Sequence, residues 1–380
     1  MVVVTAEVTA RLFMRGYVEF LSRSGYEVML VADDLSALRE PLFERGVRAM
    51  SLPMSRDPAP LRDLVSLIRM ASLIARARPD AVVYATPKAS LLASIAARVL
   101  GVPLRVYELW GIRFETARGA ARALYRGIER VIATCSTVVV ANSASLAARA
   151  AEFGITGADH VIVLGEGSSH GVDSKHFSPL AEVPEIDEAT AAFLAEHEGI
   201  TLGFVGRLHP DKGIDTLMAA ASRLAEQGED VRVLLVGGAE GAAVEFPPGV
   251  AVHLTGEVMD VRPYLGVFDV LVLMSRREGF PNVVLEAASM EVPAIVSDAT
   301  GCVDSVIDGV TGYVVPTGDV DALGSVITEL AGDPVALRAL GVAARRRAVK
   351  TFDPEHVWRL SEEHLRSQLE RALRRRTASR

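Results

Sequence analysis

The sequence predicts an α/β protein of two domains, each built around a doubly wound parallel sheet. The chain has 380 residues, which is enough for two domains of ordinary size. It opens with a strand at 2–5, a helix at 10–24 and a strand at 27–32, joined by short connections typical of parallel sheets. The second half alternates apolar strand-like segments with amphipathic helical segments, which predicts a second domain of the same class.

Short apolar segments predict the other strands. In the first half they lie at 81–85, 104–107, 138–141 and 161–164. In the second half they lie at 200–205, 231–236, 251–254, 270–273 and 293–297. Residues 177–199 contain two prolines and are predicted to be a hinge into the second domain. We therefore place the N-terminal domain at 1–175, the C-terminal domain at 176–358 and a last helix at 359–380.

Charge is unevenly distributed along the chain, whose formal net charge is -8. Residues 1–170 carry 20 Lys and Arg against 16 Asp and Glu, a net charge of +4, which leaves -12 for residues 171–380. Two interpretations are open. Either the difference in charge is ordinary surface variation, or the first half of the chain faces an anionic surface or acceptor.

Cysteine content and hydropathy narrow the class of protein. Only Cys135 and Cys302 are present, which argues against a disulfide framework and favours a reducing compartment. The first residues begin a strand at once, with no visible signal peptide, and the most apolar segments, 90–97 and 131–141, are too short to span a bilayer. We expect a soluble cytoplasmic protein, or one bound peripherally to the inner face of the cell membrane.

One strand–loop–helix junction in the second half carries the clearest functional signal. A buried strand at 271–273 is followed by a polar loop and then by a helix from Asn282. In open α/β sheets ligands bind at such junctions, and the N–H groups at a helix N-terminus suit a phosphate. Glu278 precedes the helix and Glu286 lies inside it, and a carboxylate can accept two hydroxyl groups of a ribose or sugar ring.

A second junction follows the strand at 200–205. Gly206 permits a tight turn after the strand, and Arg207 and Lys212 follow before Gly213 and an amphipathic helix. Two cations fixed at the end of a strand can neutralise a diphosphate without a metal ion.

Together the two junctions resemble the retaining nucleotide-sugar glycosyltransferases of family 4, which have the GT-B fold. The paired-glutamate signature E-x7-E of that family is matched by Glu278 and Glu286. Its G-R-L-x(3)-K-G segment is matched by Gly206, Arg207, Leu208, Lys212 and Gly213. The resemblance continues through residues 301–312 and covers nearly the whole chain.

The resemblance implies two Rossmann-like domains facing a central cleft, with the last helix returning to the N-terminal domain. It implies a hexosyltransferase-type reaction (EC 2.4), in which a sugar moves from a nucleoside diphosphate to an acceptor hydroxyl with retained anomeric configuration. The expected catalytic residues are Glu278, Arg207 and Lys212. The expected donor-binding residues are Gly206, Gly279, Phe280, Asn282, Val283, Glu286 and Val258.

Within this scheme Glu286 holds the ribose, and Glu278 holds sugar hydroxyls or stabilises positive charge at the anomeric carbon. The two cations take the place of a metal ion, so no metal and no cofactor are expected. The sequence contains neither an H-E-x-x-H nor a C-x-x-C motif. UDP is favoured over GDP and ADP by family frequency alone, with a UDP-N-acetylhexosamine among the candidate donors, and no nucleic-acid partner is expected.

The N-terminal domain departs from the family at two places that contact the donor in relatives. Residues 5–9, after the first strand, contain no glycine where many relatives have a glycine-rich loop. Trp110 precedes Gly111 where many relatives have a histidine, so no histidine role is transferred there. Trp110 belongs to the core or forms a stacking wall for a sugar ring.

Four residues are candidates for the acceptor side: Lys88, Trp110, Arg113 and His170. The T-P-K-A stretch at 86–89 is similar to family members that build capsule or lipid-linked oligosaccharide, which favours a polyprenyl-diphosphate-linked acceptor. Lys88 is either a phosphate ligand at a helix start or a surface lysine. His170 is either a ligand of the donor site or a linker residue.

Two helices combine apolar and basic residues. In the helix at 60–78 the apolar side comprises Leu61, Leu64, Val65, Ile68, Ala71 and Leu73. The basic residues in and near it are Arg56, Arg62, Arg69, Arg76 and Arg78. The favoured interpretation is a helix packed on the core with a solvated basic face; the other is contact with a membrane surface or an acceptor diphosphate. The basic C-terminal helix likewise either touches anionic lipid or frays in solvent.

Three other functions remain open. A glycosyltransferase acting on a small soluble natural product would share the donor residues and show no dependence on lipid. A nucleotide-sugar 2-epimerase shares the architecture, although the glutamate pair together with Arg207 and Lys212 favours transfer. A non-catalytic nucleotide-sugar-binding subunit is the third, and it would bind donor without turnover.

Overall fold

The computed structural model describes residues 1–55, 59–197, 199–239 and 246–378. The chain forms two compact units. Unit 1 comprises Met1–His170 together with Glu355–Arg380, and unit 2 comprises Gly171–Pro354. The corresponding boundaries predicted from the sequence are residues 175 and 358.

Unit 1 contains a seven-stranded sheet in the order β3-β2-β1-β4-β5-β6-β7, and every neighbouring pair is parallel. Its strands are β1 (Val2–Val3), β2 (Val28–Ala32), β3 (Val47–Ser51), β4 (Ala81–Tyr84), β5 (Leu104–Leu109), β6 (Val138–Ala141) and β7 (Val161–Val163). The α/β class and the parallel sheet predicted from the sequence are confirmed. The strand β3 was missed, because this edge strand buries only Val47 and Ala49 and its sequence, which includes Arg48, forms no apolar run.

The helices of unit 1 cover the sheet. They are α1 (Glu7–Thr9), α2 (Arg15–Arg23), α3 (Arg39–Phe43), α4 (Pro60–Ala77), α5 (Pro87–Val99), α6 (Gly119–Cys135), α7 (Ala144–Glu152) and α14 (Pro354–Ala378). The helix predicted at 10–24 begins earlier, at Glu7, and passes through a π-helical stretch at Ala10–Met14. The early start is stabilised by Asp33, whose Oδ1 accepts a hydrogen bond from the Glu7 N–H at 2.8 Å.

The orientation of α4 contradicts the favoured sequence interpretation. Four of the six apolar residues expected on the core are exposed: Leu61 at 83%, Leu64 at 54%, Val65 at 46% and Ile68 at 62%. The helix packs on the core through Ser66, Met70 and Ile74 instead. The prediction failed because α4 is apolar on two sides, and helical periodicity alone does not say which side meets the sheet. Arg56 lies outside the described residues.

The helix α14 belongs to unit 1, although most of that unit lies far away in sequence. Leu365 is buried in the same cluster as the inner residues of β1 and β2, with Trp358 and Leu369 packed against it. The Tyr26 hydroxyl donates to Glu362 Oε1 at 2.9 Å. The side chains of Arg376 and Arg380 lie outside the described part of this helix.

Unit 2 contains a six-stranded sheet in the order β10-β9-β8-β11-β12-β13, again with parallel neighbours throughout. Its strands are β8 (Ile200–Val205), β9 (Val231–Val236), β10 (Ala251–Leu254), β11 (Val270–Leu273), β12 (Ala294–Ser297) and β13 (Gly312–Val315). Five of these were predicted from apolar runs. The strand β13 was missed, because it is short and begins with a glycine.

The helices of unit 2 are α8 (Glu188–Glu196), α9 (Ile214–Glu226), α10 (Arg262–Leu265), α11 (Asn282–Ser289), α12 (Val320–Gly332) and α13 (Pro334–Thr351). All residues of β11 and β12 are buried, as expected for strands covered on both faces. In the described part of the chain, no helix combines the length and the apolar character needed to cross a membrane.

Candidate functional site

The central strands of unit 2 form a topological switch point. From β8 the chain proceeds outward to β9 and β10, whereas β11, β12 and β13 lie on the other side of β8. The loops that follow β8 and β11 therefore start at adjacent strand ends. Ligands of open α/β sheets bind in the crevice at such a point. Both junctions singled out in the sequence begin here.

Glycines allow these loops to touch. Gly213, after β8, has a φ of +67°, and a Cβ added to it would lie 1.9 Å from the carbonyl oxygen of Met274, after β11. Gly301, after β12, has a φ of +78°, and its added Cβ would lie 2.4 Å from the carbonyl oxygen of Gly279. Both positions require glycine for conformation and for space. The backbones of three loops are thereby held against one another.

Lys212 and Glu278 are brought into contact by this packing. The Lys212 Nζ donates to Glu278 Oε1 at 2.5 Å, and the Ser275 hydroxyl donates to the same oxygen at 2.9 Å. The Glu278 N–H donates to the carbonyl oxygen of Thr300 at 2.8 Å, which fixes the backbone that carries this carboxylate. Both side chains are partly exposed, at 24% for Lys212 and 17% for Glu278, so a ligand can reach them.

Further ion pairs join the loop after β8 and the first turn of α9 to the loop after β11. Arg277 contacts Asp211 at 2.8 Å, and Arg276 contacts Asp215 at 2.6 Å. The Arg276 N–H also donates to the carbonyl oxygen of Asp211 at 2.8 Å. Arg207 is exposed at the start of the first of these loops. The arrangement concentrates cationic groups near a fixed carboxylate.

The N-terminus of α11 completes this group. Its N-cap position is Pro281, and no side chain caps the helix. The N–H groups of Asn282 and Val283 therefore lie at an uncapped helix start, which favours an anion. The Phe280 side chain is 6% exposed and packs on Phe352 with ring centroids 5.4 Å apart, so this residue offers a ligand its backbone only.

Glu286 lies on the second turn of α11 and is partly buried. Burial raises the pKa of its carboxyl group to about 7, from a usual value of 4.5. The group therefore changes charge near neutral pH. By contrast, Cys302 is fully buried and burial raises the pKa of its thiol far above the usual range, in agreement with a packing role.

The loops after β9 and β10 also meet at this edge of the sheet. The Gly237 N–H donates to the carbonyl oxygen of Gly256 at 2.9 Å, and Glu257 approaches Gly238. Val258 follows in the same loop and is partly buried against the core of unit 2. Its predicted contact with a donor base stays a prediction.

Unit 1 contains a cavity of about 450 Å³ at the start of α5. Its walls combine apolar side chains, including Leu91, Leu92 and Ile128, with polar groups from several elements. Lys88 lies in the first turn of α5 and donates to Asp63 Oδ1 at 2.7 Å. Arg113 is exposed at the same cavity, with its guanidinium 5.5 Å from the centre of the Tyr125 ring.

The loop without glycine after β1 forms one wall of this cavity. The Thr5 N–H donates to the Thr86 hydroxyl at 3.0 Å, and the two hydroxyl oxygens are 2.8 Å apart. The Thr5 hydroxyl in turn accepts from the Ala89 N–H at 3.2 Å, within the first turn of α5. Thr86 has a φ of +67°, a strained conformation for a threonine that these hydrogen bonds stabilise.

Glu129 also lines the cavity and is 3% exposed. Its Oε2 accepts from the Tyr107 hydroxyl at 2.6 Å. Burial raises the pKa of its carboxyl group to about 7, against the opposing effects of the Tyr107 hydrogen bond and the Arg113 charge. A buried carboxylate on a cavity wall can accept a ligand hydroxyl group.

Trp110 and His170 lie together in another part of unit 1. The Trp110 Nε1 donates to Glu108 Oε2 at 3.2 Å, and the ring packs edge-on against Phe13 with centroids 6.1 Å apart. His170 also packs edge-on against Phe13, with ring centroids 4.8 Å apart. Burial lowers the pKa of His170 to about 4, so its ring is neutral at pH 7. Burial raises the pKa of Glu108 to about 7.

Comparison with known proteins identifies the family. Residues 199–333 match the family model described as Glycosyl transferases group 1, and residues 9–167 match the Glycosyl transferase 4-like domain. The chain is 31% identical over 352 residues to the capsular polysaccharide biosynthesis glycosyltransferase CapM of Staphylococcus aureus, covering 91% of each protein. The protein belongs to the family 4 glycosyltransferases of the GT-B type.

Two further similarities extend over most of the length of this family 4 glycosyltransferase. It is 25% identical over 347 residues to the UDP-Gal:alpha-D-GlcNAc-diphosphoundecaprenol alpha-1,3-galactosyltransferase of Escherichia coli, covering 88% of this chain and 87% of the relative. Its fold is similar to Anabaena Alr3699/HepE, solved in complex with UDP and glucose, with a TM-score of 0.73 at 18% identity. That structural match covers 97% of this chain and 100% of the other.

In this glycosyltransferase the predicted donor residues of the two junctions lie at one edge of the unit 2 sheet. It places Lys88 and Arg113 on one cavity of unit 1, whereas Trp110 and His170 lie elsewhere in that unit, around Phe13. Among the residues described, no group of three or more His, Cys, Asp and Glu could hold a metal ion. Metal independence stays an expectation.

Two features of this glycosyltransferase were missed in the sequence. The arginines at 276 and 277 were seen only as loop residues, although their pairing with Asp211 and Asp215 aligns the donor loops. Glu129 was missed because α6 was not analysed as an amphipathic helix. It shares the buried face of that helix with Ile132 and Ala133, and a charged residue on such a face is the signal that could have found it.

Proposed function

We propose that the enzyme transfers a sugar from a nucleoside diphosphate, with UDP favoured, to a polyprenyl-diphosphate-linked saccharide in surface glycan synthesis. The main observation that supports this proposal is the contact between Lys212 and Glu278 beside the uncapped start of α11. The similarity to CapM and to the E. coli galactosyltransferase supports the acceptor class, because the latter is named for a diphosphoundecaprenol-linked sugar. The same name supports a UDP-sugar donor.

The donor diphosphate would bind at the switch point of unit 2. Lys212, Arg207 and the N–H groups of Asn282 and Val283 supply positive charge and hydrogen-bond donors from two adjacent strand ends. Glu286 would accept the ribose hydroxyl groups from within α11. These groups are held by backbone contacts between loops, so they require little rearrangement when the donor binds.

Catalysis would depend on stabilising the departing diphosphate. As the bond between the anomeric carbon and the diphosphate oxygen breaks, negative charge grows on that oxygen beside Lys212 and the α11 start. Glu278, whose position is fixed by Lys212 and Ser275, would stabilise positive charge at the anomeric carbon.

The acceptor would attack from the face that the diphosphate leaves. A new bond forms between its oxygen and the anomeric carbon, and its proton passes to the departing phosphate oxygen. The anomeric configuration is then retained without a protein nucleophile. The cationic side chains would take the place of a metal ion in this scheme.

The acceptor would occupy the unit 1 cavity. Lys88 and Arg113 provide charges for its diphosphate, the apolar wall suits the adjoining lipid, and Glu129 would accept a hydroxyl group of its sugar. This assignment differs from the sequence analysis, in which Trp110 and His170 were also candidates for the acceptor side.

The test is release of nucleoside diphosphate from UDP-, GDP- and ADP-sugars, with and without a polyprenyl-diphosphate-linked sugar. Glu286→Ala and Lys88→Ala are run alongside the unmodified enzyme. We expect one donor to be used, release to rise with the lipid acceptor, and the Glu286 variant to lose activity. The Lys88 variant should lose the stimulation by lipid while retaining donor binding.

Other outcomes would identify the rival functions. Turnover with small soluble acceptors and no response to lipid would indicate a natural-product glycosyltransferase. Interconversion of the donor sugar without transfer would indicate an epimerase. Donor binding without turnover under every condition would indicate a binding subunit and overturn the proposal. Nuclear magnetic resonance of the product would report whether the anomeric configuration is retained.

A further inference from the structure

The outer face of α4 is an exposed apolar stripe, which comprises Leu61, Leu64, Val65 and Ile68. These residues are spaced at i, i+3, i+4 and i+7, so they lie on one side of the helix. The buried residues Ser66, Met70 and Ile74 lie on the opposite side and supply the contact with the sheet. The stripe is therefore not needed for packing within unit 1.

A row of arginines runs beside the stripe. Arg62, Arg69 and Arg76 are spaced seven residues apart, which is two helical turns, so they form one line along α4. All three are exposed, and within the described ranges none of them forms an ion pair with another residue. Contiguous apolar residues bordered by a cationic row are the pattern of a helix that lies in a membrane interface.

We propose that the outer face of α4 docks this glycosyltransferase on an anionic bilayer. The stripe would enter the boundary between head groups and acyl chains, and the arginine row would contact lipid phosphates. The positive charge of residues 1–170, +4 from 20 basic and 16 acidic residues, favours the same surface.

A second copy of the chain is a poorer occupant. A symmetric contact through this face would place two arginine rows near each other. The only acid on α4 is Asp63, whose carboxylate is bound by Lys88 at 2.7 Å and by the Ala59 N–H at 3.1 Å. That carboxylate is therefore not available to offset the repulsion between arginines.

The docking site adjoins the acceptor cavity. Asp63, in the first turn of α4, lines that cavity, so the stripe and the cavity share one end of the helix. If the proposed function holds, a lipid-linked acceptor would reach the cavity from the bilayer surface. Bilayer binding itself does not depend on the identity of the donor or acceptor, so the two proposals fail separately.

The test is sedimentation of the full chain with vesicles of phosphatidylcholine alone and of phosphatidylcholine with 30 mol% phosphatidylglycerol, a mixture chosen at about physiological anionic content. Neither donor nor acceptor is added. We expect binding to the anionic vesicles. The double variant Leu61→Gln/Ile68→Gln should lose about tenfold or more in affinity, because two apolar side chains no longer enter the interface.

Two further variants separate the contribution of the arginine row from that of the apolar stripe and from that of exposed apolar residues elsewhere. Arg62→Gln/Arg69→Gln/Arg76→Gln should abolish the preference for anionic vesicles. The matched control is Val335→Gln/Val342→Gln, which changes two exposed apolar residues of α13 in unit 2 and should leave binding unchanged. Thermal unfolding should be similar for all variants, because every changed residue is exposed.

Three results would overturn the inference. The first is absence of binding by the unmodified chain to either kind of vesicle. The second is equal binding by the Leu61→Gln/Ile68→Gln variant and the unmodified chain. The third is a concentration-dependent dimer, seen by analytical ultracentrifugation, that this variant abolishes, which would assign the stripe to contact between copies of the chain.

Discussion

The carboxylate of Glu278 is held in place by a cation and a hydroxyl group before any donor is present. Lys212 and Ser275 both donate to its Oε1, and the Glu278 backbone is bound to Thr300. An ion pair that is partly exposed contributes little to stability, so its value lies in the position of its charges. Because Lys212 is held near the proposed diphosphate site, we expect it to stabilise the leaving group.

Replacing Lys212 with alanine tests this role. We expect kcat/KM to fall about 100- to 1,000-fold, because one preorganised charge is removed from the departing diphosphate. Steady-state kinetics with the identified donor would measure the change. The matched control, Lys350→Ala, removes an exposed lysine of α13 and should alter kcat/KM little. A Lys212 variant as active as the Lys350 variant would contradict the role.

With Glu286 in its proposed role, the raised pKa of this residue should make donor binding depend on pH. Its carboxyl group, with a pKa of about 7, is mostly protonated below that pH and ionised above it, and the ionised form is the stronger acceptor for the ribose hydroxyl groups that we propose it binds. We therefore expect affinity for the nucleoside diphosphate to rise between pH 6 and pH 8. Isothermal titration calorimetry would measure it.

Glu286→Gln separates this effect from ionisation of the nucleotide itself. In the variant, the part of the pH dependence that comes from the terminal phosphate of the nucleotide should remain. The part that comes from Glu286 should be lost. Its affinity should lie nearest that of the unmodified enzyme at pH 6 and farthest from it at pH 8. Identical pH profiles for the two proteins would show that Glu286 does not titrate at the donor site.

At the scale of elements, the candidate donor site is built by contact between loops rather than by any single motif. Gly213 packs against the Met274 carbonyl, and Gly301 packs against the Gly279 carbonyl. The ion pairs of Arg276 and Arg277 tie the same loops together. A side chain inserted at one of these contacts should therefore affect both stability and donor binding.

The variant Gly213→Ala measures the importance of this contact. We expect it to lower the free energy of unfolding by about 3 kcal/mol or more, because the alanine Cβ must displace the Met274 carbonyl in addition to adopting a left-handed conformation. Gly228→Ala is a matched control, since Gly228 has a φ of +83° with nothing near its added Cβ.

The control substitution should lower the free energy of unfolding by only about 1–2 kcal/mol, which is the energy of holding an alanine in the left-handed conformation. Urea unfolding would measure both variants, and calorimetry would measure their affinity for nucleoside diphosphate. Donor affinity should fall in the Gly213 variant alone. Equal destabilisation by the two substitutions would mean that the loop contact is easily displaced.

At the scale of the whole molecule, the two units differ in how the chain builds them. Unit 2 is one continuous segment, Gly171–Pro354, with its own core around β8 and β11. Unit 1 is completed by α14, whose Leu365 packs in the cluster behind β1 and β2. All the proposed donor residues lie in unit 2, and the acceptor cavity is lined by unit 1 residues.

Residues 171–354 expressed alone should therefore fold and bind the donor. We expect a nucleoside diphosphate affinity within about tenfold of the full chain, because a domain with its own core folds independently. Sugar transfer should be absent, because the acceptor cavity is missing. Circular dichroism would establish folding, and calorimetry would measure binding. A folded segment without affinity for nucleotide would show that the donor site needs unit 1.

The sequence indicated the candidate donor loops of unit 2 more fully than the walls of the unit 1 cavity, for a physical reason. Phosphate binding at a strand end uses local features, a glycine turn, a cation and a helix start, and all of them are visible in short segments such as 206–213. The hydrogen bonds of Thr5 with Thr86 and Ala89 join residues about eighty positions apart, so no local pattern indicates them.

By itself the sequence determined the α/β class, most strands of both sheets and the family, and it placed the main candidate donor residues at two strand ends. Period-two and period-3.6 patterns and turn residues are local, so they survive without knowledge of the fold. Only the tertiary structure decided that Lys212 touches Glu278, that Glu129 is buried on a cavity wall and that α4 turns four apolar residues outward. Those facts depend on which surfaces meet, and contact between distant segments is set by packing of the whole unit.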